Sequence, residues 1–280
     1  MSTPRIDAHQ HFWRLARGDY DWLEPALVPL YRDFEPADLE PLLARAGIAR
    51  TIAVQAAPTL AETRHLLALA QCTPWIAGVV GWIDFEAPRA LDELARERKL
   101  VGLRPMLQDL ADERWVLRAE LRPAFEALER SGLAFDALAR PQHLAALCEL
   151  LERHPRLRVV IDHAAKPALR EGSAWSGRAR WHSDLRRLAA TGCYVKLSGL
   201  LTEARPGAGA DELAPCVETL FECFGPARVL WGSDWPVVLL AGDYEHWWEL
   251  SLRLLRGLSA LEQERVLGGN AFDFYRLESA

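Results

Sequence analysis

Short apolar runs recur at near-even intervals along the chain, each ending on a polar or glycine-rich stretch. They fall at 5–7, 51–55, 78–82, 100–104, 133–136, 159–162, 194–197 and 229–232. Runs this short, rich in Val, Ile and Leu, read as strands buried on both faces. Between them, apolar residues follow a helical period. In 87–98 they are Ala90, Leu91 and Leu94; in 141–153, which opens on Pro141, they are Leu144, Leu147, Cys148 and Leu151. Residues 183–191 and 211–224 continue the pattern. Gly47, Gly132 and Gly192 stand just before strands, where helices end. Eight strands alternating with helices predict parallel βαβ units, and eight units predict an α/β fold closed as a (β/α)8 TIM barrel. An open doubly wound sheet is the rival. No GxGxxG follows the first strand to support it.

Length agrees with one barrel. The chain has 280 residues, and such barrels take about 250, so residues 1–280 are read as a single domain. Residues 13–33, rich in Trp, Tyr, Pro and Asp, read as a long loop after the first strand, and residues 201–209 as a mobile loop. Half the residues are hydrophobic and 26% are charged, a globular composition. A net charge of −6, only three lysines and no Lys/Arg run argue against nucleic acid or an anionic membrane surface. No apolar run approaches the ~18 residues of a membrane span, and no basic segment precedes an apolar stretch at the N-terminus. Five cysteines without a CxxC pair read as reduced thiols, so a cytoplasmic location is expected.

The chemistry gathers at strand ends. The first strand runs into His9-Gln10-His11, and residues two apart in extended chain point the same way. Two imidazoles at a barrel mouth hold a metal or polarise a carbonyl. The sixth strand ends in Asp162-His163-Ala164-Ala165-Lys166-Pro167 and the eighth in Gly232-Ser233-Asp234-Trp235-Pro236. Taken singly, a turn aspartate is an N-cap and a lone histidine a packed core residue. Taken together, His9, His11, His163 and Asp234 sit at the C-terminal ends of strands that a barrel makes neighbours, where active sites are built. Trp13, Trp82 and Trp235 at strand ends, and Trp22 in the first loop, offer indole faces to a sugar; Asp84, Arg104 and Lys166 offer hydrogen bonds. Lys196, inside a strand, is placed in a buried ion pair. The remaining histidines and the pair Trp247-Trp248 fall on helices and read as packing residues. No GxSxG elbow supports a serine hydrolase.

The segments IDAHQHFW, VVGW, DHAAKP, KLSGL and GSDWP, in this order, resemble the amidohydrolase superfamily. Within it they resemble the lactonase branch, which holds L-fuconolactonase, L-rhamnonolactonase and 2-pyrone-4,6-dicarboxylate lactonase. The resemblance runs from Arg5 to Asn270-Ala271 and implies a distorted barrel that hydrolyses its substrate at the mouth. It also implies His9, His11, His163 and Asp234 as the catalytic positions, and turnover with no required metal. Two features separate the chain from binuclear members: the fourth strand ends in Arg104, which cannot ligate a metal, and the fifth in Asp136 rather than His. A single divalent ion such as zinc on His9, His11 and Asp234, with or without His163, stays open.

The sequence therefore predicts a lactone hydrolase acting on L-fuconolactone or a related aldonolactone. Asp234 activates water, and His9, His11 and His163 polarise the carbonyl. Three rivals stand beside it: a 2-pyrone-4,6-dicarboxylate lactonase, a mononuclear zinc amidohydrolase or decarboxylase, and a sugar-binding barrel without turnover. Oligomeric state is open.

Overall fold

In the computed structural model, which describes residues 4–278, eight parallel strands line up in chain order. They are β1 Ile6–Gln10, β2 Arg50–Val54, β3 Ile76–Gly81, β4 Leu100–Leu103, β5 Ala134–Ala137, β6 Arg158–Ile161, β7 Tyr194–Leu197 and β8 Val229–Trp231. Each expected run is a strand. Parallel neighbours need crossovers, and the helices supply them: α1 Pro36–Ala46, α2 Leu60–Cys72, α3 Leu91–Leu94, α4 Arg122–Ser131, α5 Leu144–Arg153, α6 Arg178–Ala190, α7 Leu200–Glu203, α8 Ala210–Phe224 and α9 Tyr244–Leu254. Two short helices follow, α10 Ala260–Glu264 and α11 Asn270–Phe274. The sheet closes through the segment after β8, where Asp234 N donates to His9 O at 2.8 Å and His11 N to Trp235 O at 2.7 Å. Gly232 makes the close approach: a Cβ there would lie 2.7 Å from His9 Cβ.

Two apolar regions hold the barrel. The larger fills the space between strands and helices. The smaller lies inside the barrel near its floor, where Ile6, Ala8, Ile52, Val54, Val80, Val160 and Leu230 meet Phe274 and Tyr275 from the C-terminal segment. Gly47 and Gly132 end α1 and α4 in the left-handed region, as their place in the sequence foretells. Two expectations change. The helix expected at 87–98 is a 3-10 turn and the four-residue α3, because Pro88 and the polar 95–99 segment leave little to bury. Residues 201–209 are not simply a loop: Leu201 lies in α7 with Leu200, both buried, and Ala204 and Ala208 are buried after it. Trp247 and Trp248 are core residues of α9, in keeping with their reading as packing residues.

Candidate active site

A register shift in β1 sets up the mouth. Ile6 and Ala8 face the inner core, so strict alternation would turn His9 and His11 away from it. The pairing with β2 slips between Asp7 and Gln10, which resets the phase and turns both imidazoles to the barrel axis. Asp7, pointing outward, fastens this segment to the turn after β8. Its Oδ1 accepts from His9 N at 3.1 Å and Ser233 N at 2.8 Å, and its Oδ2 from the Tyr244 hydroxyl at 3.1 Å. Burial pushes the Asp7 carboxyl up to about 6.

His163 and Asp234 are held by strained backbone. His163, Ala164, Ala165 and Lys166 all have φ between 50° and 60°, and Asp234 has φ 58°. Non-glycine residues in this region cost roughly 1–3 kcal/mol each, a strain found most often at functional sites. Small Ala164 and Ala165 ease it, and the Trp181 indole donates to Ala164 O at 2.9 Å. Gly199, itself at φ +63°, leaves room for His163: a Cβ there would lie 2.5 Å from His163 Nδ1.

Around Asp234 Oδ1 stand three Nε2 atoms: His11 at 3.4 Å, His9 at 3.7 Å and His163 at 3.7 Å. Burial raises the Asp234 carboxyl, but the imidazoles of His163, His11 and His9 outweigh it and hold the group well below the usual carboxylate range. Burial drives His163 down to about 4 against the pull of Asp234, so its ring is neutral at pH 7. His9 is lowered too, by burial and then by Lys196. Hydrogen bonding assigns the ring protons. The His11 Nδ1–H donates to Val54 O at 2.8 Å, so in the neutral ring Nε2 is a lone pair. The His11 Nε2 faces the same Asp234 oxygen at 3.4 Å. The His163 Nδ1 lies 2.9 Å from Ser198 Oγ; with Nε2 facing a carboxylate, the hydroxyl donates and Nε2 keeps its proton.

One layer deeper lies a charge network that sequence reasoning met only at Lys196. Its Nζ lies 2.6 Å from Asp136 Oδ2, 2.9 Å from Asp162 Oδ1 and 3.1 Å from His9 Nδ1. Tyr275 donates its hydroxyl to Asp136 Oδ2 at 2.7 Å. Arg104 is buried, donating to Gln55 O and lying 3.3 Å from Asp162 Oδ2 and 3.4 Å from His9 Nε2. Burial raises the Asp162 carboxyl, but Lys196 and His9 reverse this and hold it far below the ordinary range. Asp136, Asp162 and Lys196 occupy inward positions of adjoining strands, two residues beyond the inner-core Ala134, Val160 and Tyr194. That spacing was the available signal.

Above the cluster opens a cavity of about 270 Å³, lined by His11, His163 and Asp234 with Trp22, Arg104 and Lys166. Gln108 also lines it, with no partner for its Oε1 among the described residues. Lys166 is half-buried and 3.3 Å from Glu203 Oε1. Trp82 and Asp84 line a neighbouring hollow of about 410 Å³, which shares the Trp22 wall. Trp13 and Trp235, expected to touch substrate, are fully buried: Trp13 packs on Trp22 and Phe34, and Trp235 on Phe12 and Phe34. These two indoles turn inward and wedge the first loop in place, while Trp82 stays at the hollow.

The amidohydrolase family matches residues 6–277, nearly the whole described chain. The chain belongs to the amidohydrolase family. An L-fucono-1,5-lactonase of Burkholderia ambifaria is 48% identical, over 99% of this chain and 97% of that one. An L-fucono-1,5-lactonase of Burkholderia multivorans is 40% identical with the same coverage. A solved amidohydrolase from Burkholderia multivorans with bound zinc is 38% identical and superposes with a TM-score of 0.93, over 98% of this chain and all of that one.

Amidohydrolase barrels raise the question of a metal. Two ligands each about 2.1 Å from a tetrahedral ion lie about 3.4 Å apart, and His9, His11 and Asp234 have nearly that spacing for one ion. The geometry therefore admits a single ion on these three residues. Holding it would require His9 Nε2 to be free of a proton, and the partner nitrogen of that ring faces Lys196. Among the described residues, no helix is long and apolar enough to cross a membrane.

Proposed function

We propose that this amidohydrolase opens a six-membered sugar lactone, an L-fucono-1,5-lactone or close aldonolactone, to its acid, with no metal required. The observation that carries the reading is the buried Asp234 carboxylate with the Nε2 atoms of His9 and His163 each 3.7 Å from its Oδ1 at the barrel mouth. Asp234 takes a proton from the water that adds to the ring carbonyl. His9 and His163 donate to the oxygen as it gains negative charge, and being fixed beforehand they need no reorganisation. Asp234 then returns the proton to the ring oxygen as the C–O bond breaks. His11, 3.4 Å from Asp234 Oδ1, holds the water beside the base.

The surroundings favour a small polyol. The cavity, about 270 Å³, sits at the low end of small-molecule pockets, roughly 300–1,000 Å³, and suits one ring. Trp22 offers an indole face, and Gln108, Asp109 and Lys166 offer partners for hydroxyls. A dicarboxylate such as 2-pyrone-4,6-dicarboxylate calls for free cations; here Arg104 is paired with Asp162 and Lys166 with Glu203. Five free cysteines support a reducing, cytoplasmic setting.

The test is acid release from a panel of aldono-1,4- and 1,5-lactones and 2-pyrone-4,6-dicarboxylate, before and after chelation, with spontaneous opening subtracted. Chelator-resistant turnover of the 1,5-lactones is expected. Turnover lost on chelation and restored by zinc overturns the metal-free reading, and silence on every lactone overturns the activity.

A further inference from the structure

We propose that Lys196 fixes His9 as a hydrogen-bond donor at Nε2 and so prevents the barrel mouth from holding a divalent ion tightly. An ammonium has three N–H groups and no lone pair. Lys196 Nζ faces three acceptors, Asp136 Oδ2 at 2.6 Å, Asp162 Oδ1 at 2.9 Å and His9 Nδ1 at 3.1 Å, with no solvent exposure. Asp136 and Asp162 balance the charge of the ammonium. His9 Nδ1 can then only accept, and in a neutral ring the proton stands on Nε2.

Two other groups approach the same ring. Arg104 Nη1, 3.4 Å from Nε2, is also an obligate donor with two N–H groups; Asp162 Oδ2 at 3.3 Å takes one, and the other lies farther from Nε2 than Lys196 Nζ, at 3.1 Å, does from Nδ1. Asp162 Oδ1, 3.4 Å from Nδ1, would call for the opposite tautomer. It lies farther off than Nζ and already faces Nζ. Lys196 therefore decides the contest while it is present. Without it, Asp162 is the remaining partner of Nδ1; the proton moves to Nδ1, and Nε2 becomes a lone pair beside His11 Nε2 and Asp234 Oδ1. That is the ligand set of a single ion, with an acceptor behind the histidine of the kind metal sites favour.

Lys196 is thus a positioning residue, acting on substrate through His9. Its effect on turnover rests on the lactone-hydrolase reading; its effect on the tautomer and on metal binding does not. Replacing Lys196 alone leaves Asp136 and Asp162 unbalanced in the core, so the variant of choice is Asp136→Asn with Lys196→Met, which removes one charge of each sign and keeps Asp162.

The experiment records two-bond 15N–1H correlations of the histidine rings in metal-stripped wild type and in the double variant. It then titrates both with zinc alone, in competition with a chromophoric chelator. His9 is expected to carry its proton on Nε2 in wild type and on Nδ1 in the variant, with zinc bound about 10–100-fold more tightly by the variant. A wild-type His9 protonated at Nδ1 overturns the proposal, as does equal zinc affinity in the two folded proteins. The wild-type spectrum decides the tautomer even if the variant does not fold. Neither readout uses a lactone, so a protein inert on lactones but protonated at Nε2 refutes the proposed activity and leaves the role of Lys196 standing.

Discussion

Asp234→Asn separates the base from everything else Asp234 does. Asparagine keeps the shape of the side chain, and its Oδ1 can still accept from His9 and His163, whose Nε2 atoms lie 3.7 Å from the carboxylate oxygen. What it loses is the ability to take a proton. General-base removal costs about 10²–10⁴ in rate, which at 1.36 kcal/mol per decade is about 3–5 kcal/mol of transition-state stabilisation. His163 stays neutral in the variant, because Asp234 is one of the charges that raise it and its loss lowers it further. The donors to the carbonyl therefore survive, and KM is expected to stay within about threefold while kcat carries the loss. The assay is continuous acid release from freshly dissolved 1,5-lactone at pH 7 in weak buffer with an indicator, the uncatalysed rate subtracted. Thermal unfolding in parallel confirms the fold. A variant that retains kcat within tenfold of wild type removes Asp234 from the role of base.

Three further outcomes are expected. Arg104→Met strips Asp162 and the Gln55 carbonyl of a buried donor, and urea unfolding should show about 3–5 kcal/mol lost, as for breaking one side of a buried pair; a loss below 1 kcal/mol contradicts this. Trp22→Ala removes the indole that donates to Ala56 O at 2.8 Å and walls the cavity, so KM should rise about tenfold with kcat changed much less; the reverse split argues against Trp22 as a binding wall. Glu62 is buried among the Ala56 and Ala57 amides, and burial pushes its carboxyl from 4.5 up to about 7. A raised acid binds its proton more tightly folded than unfolded, so its contribution is greatest below pH 4.5 and falls by about 3 kcal/mol as pH rises through 7. Wild type should gain that much stability relative to Glu62→Gln between pH 7.5 and 4.5 in chemical unfolding; a gap independent of pH rules it out.

Local pattern determined the barrel and the identity of its mouth. Eight short apolar runs became eight parallel strands, because a strand buried on both faces writes its burial directly into consecutive residues. His9, His11, His163 and Asp234 were legible for a related reason: a barrel brings the ends of β1, β6 and β8 to one rim, so position along the strand foretells position in space. Tertiary structure decided the rest. Whether an indole at a strand end faces substrate or core depends on which way the first loop folds, and Trp13 and Trp235 turned inward while Trp22 did not. The phase of β1 came from a slip against β2, which no single-strand period contains. Which histidines donate and which accept was fixed by partners far off in the chain: Val54 for His11, Ser198 for His163 and Lys196 for His9. A residue's type limits its chemistry, but the proton it carries depends on its neighbours, and those are set only when the barrel closes.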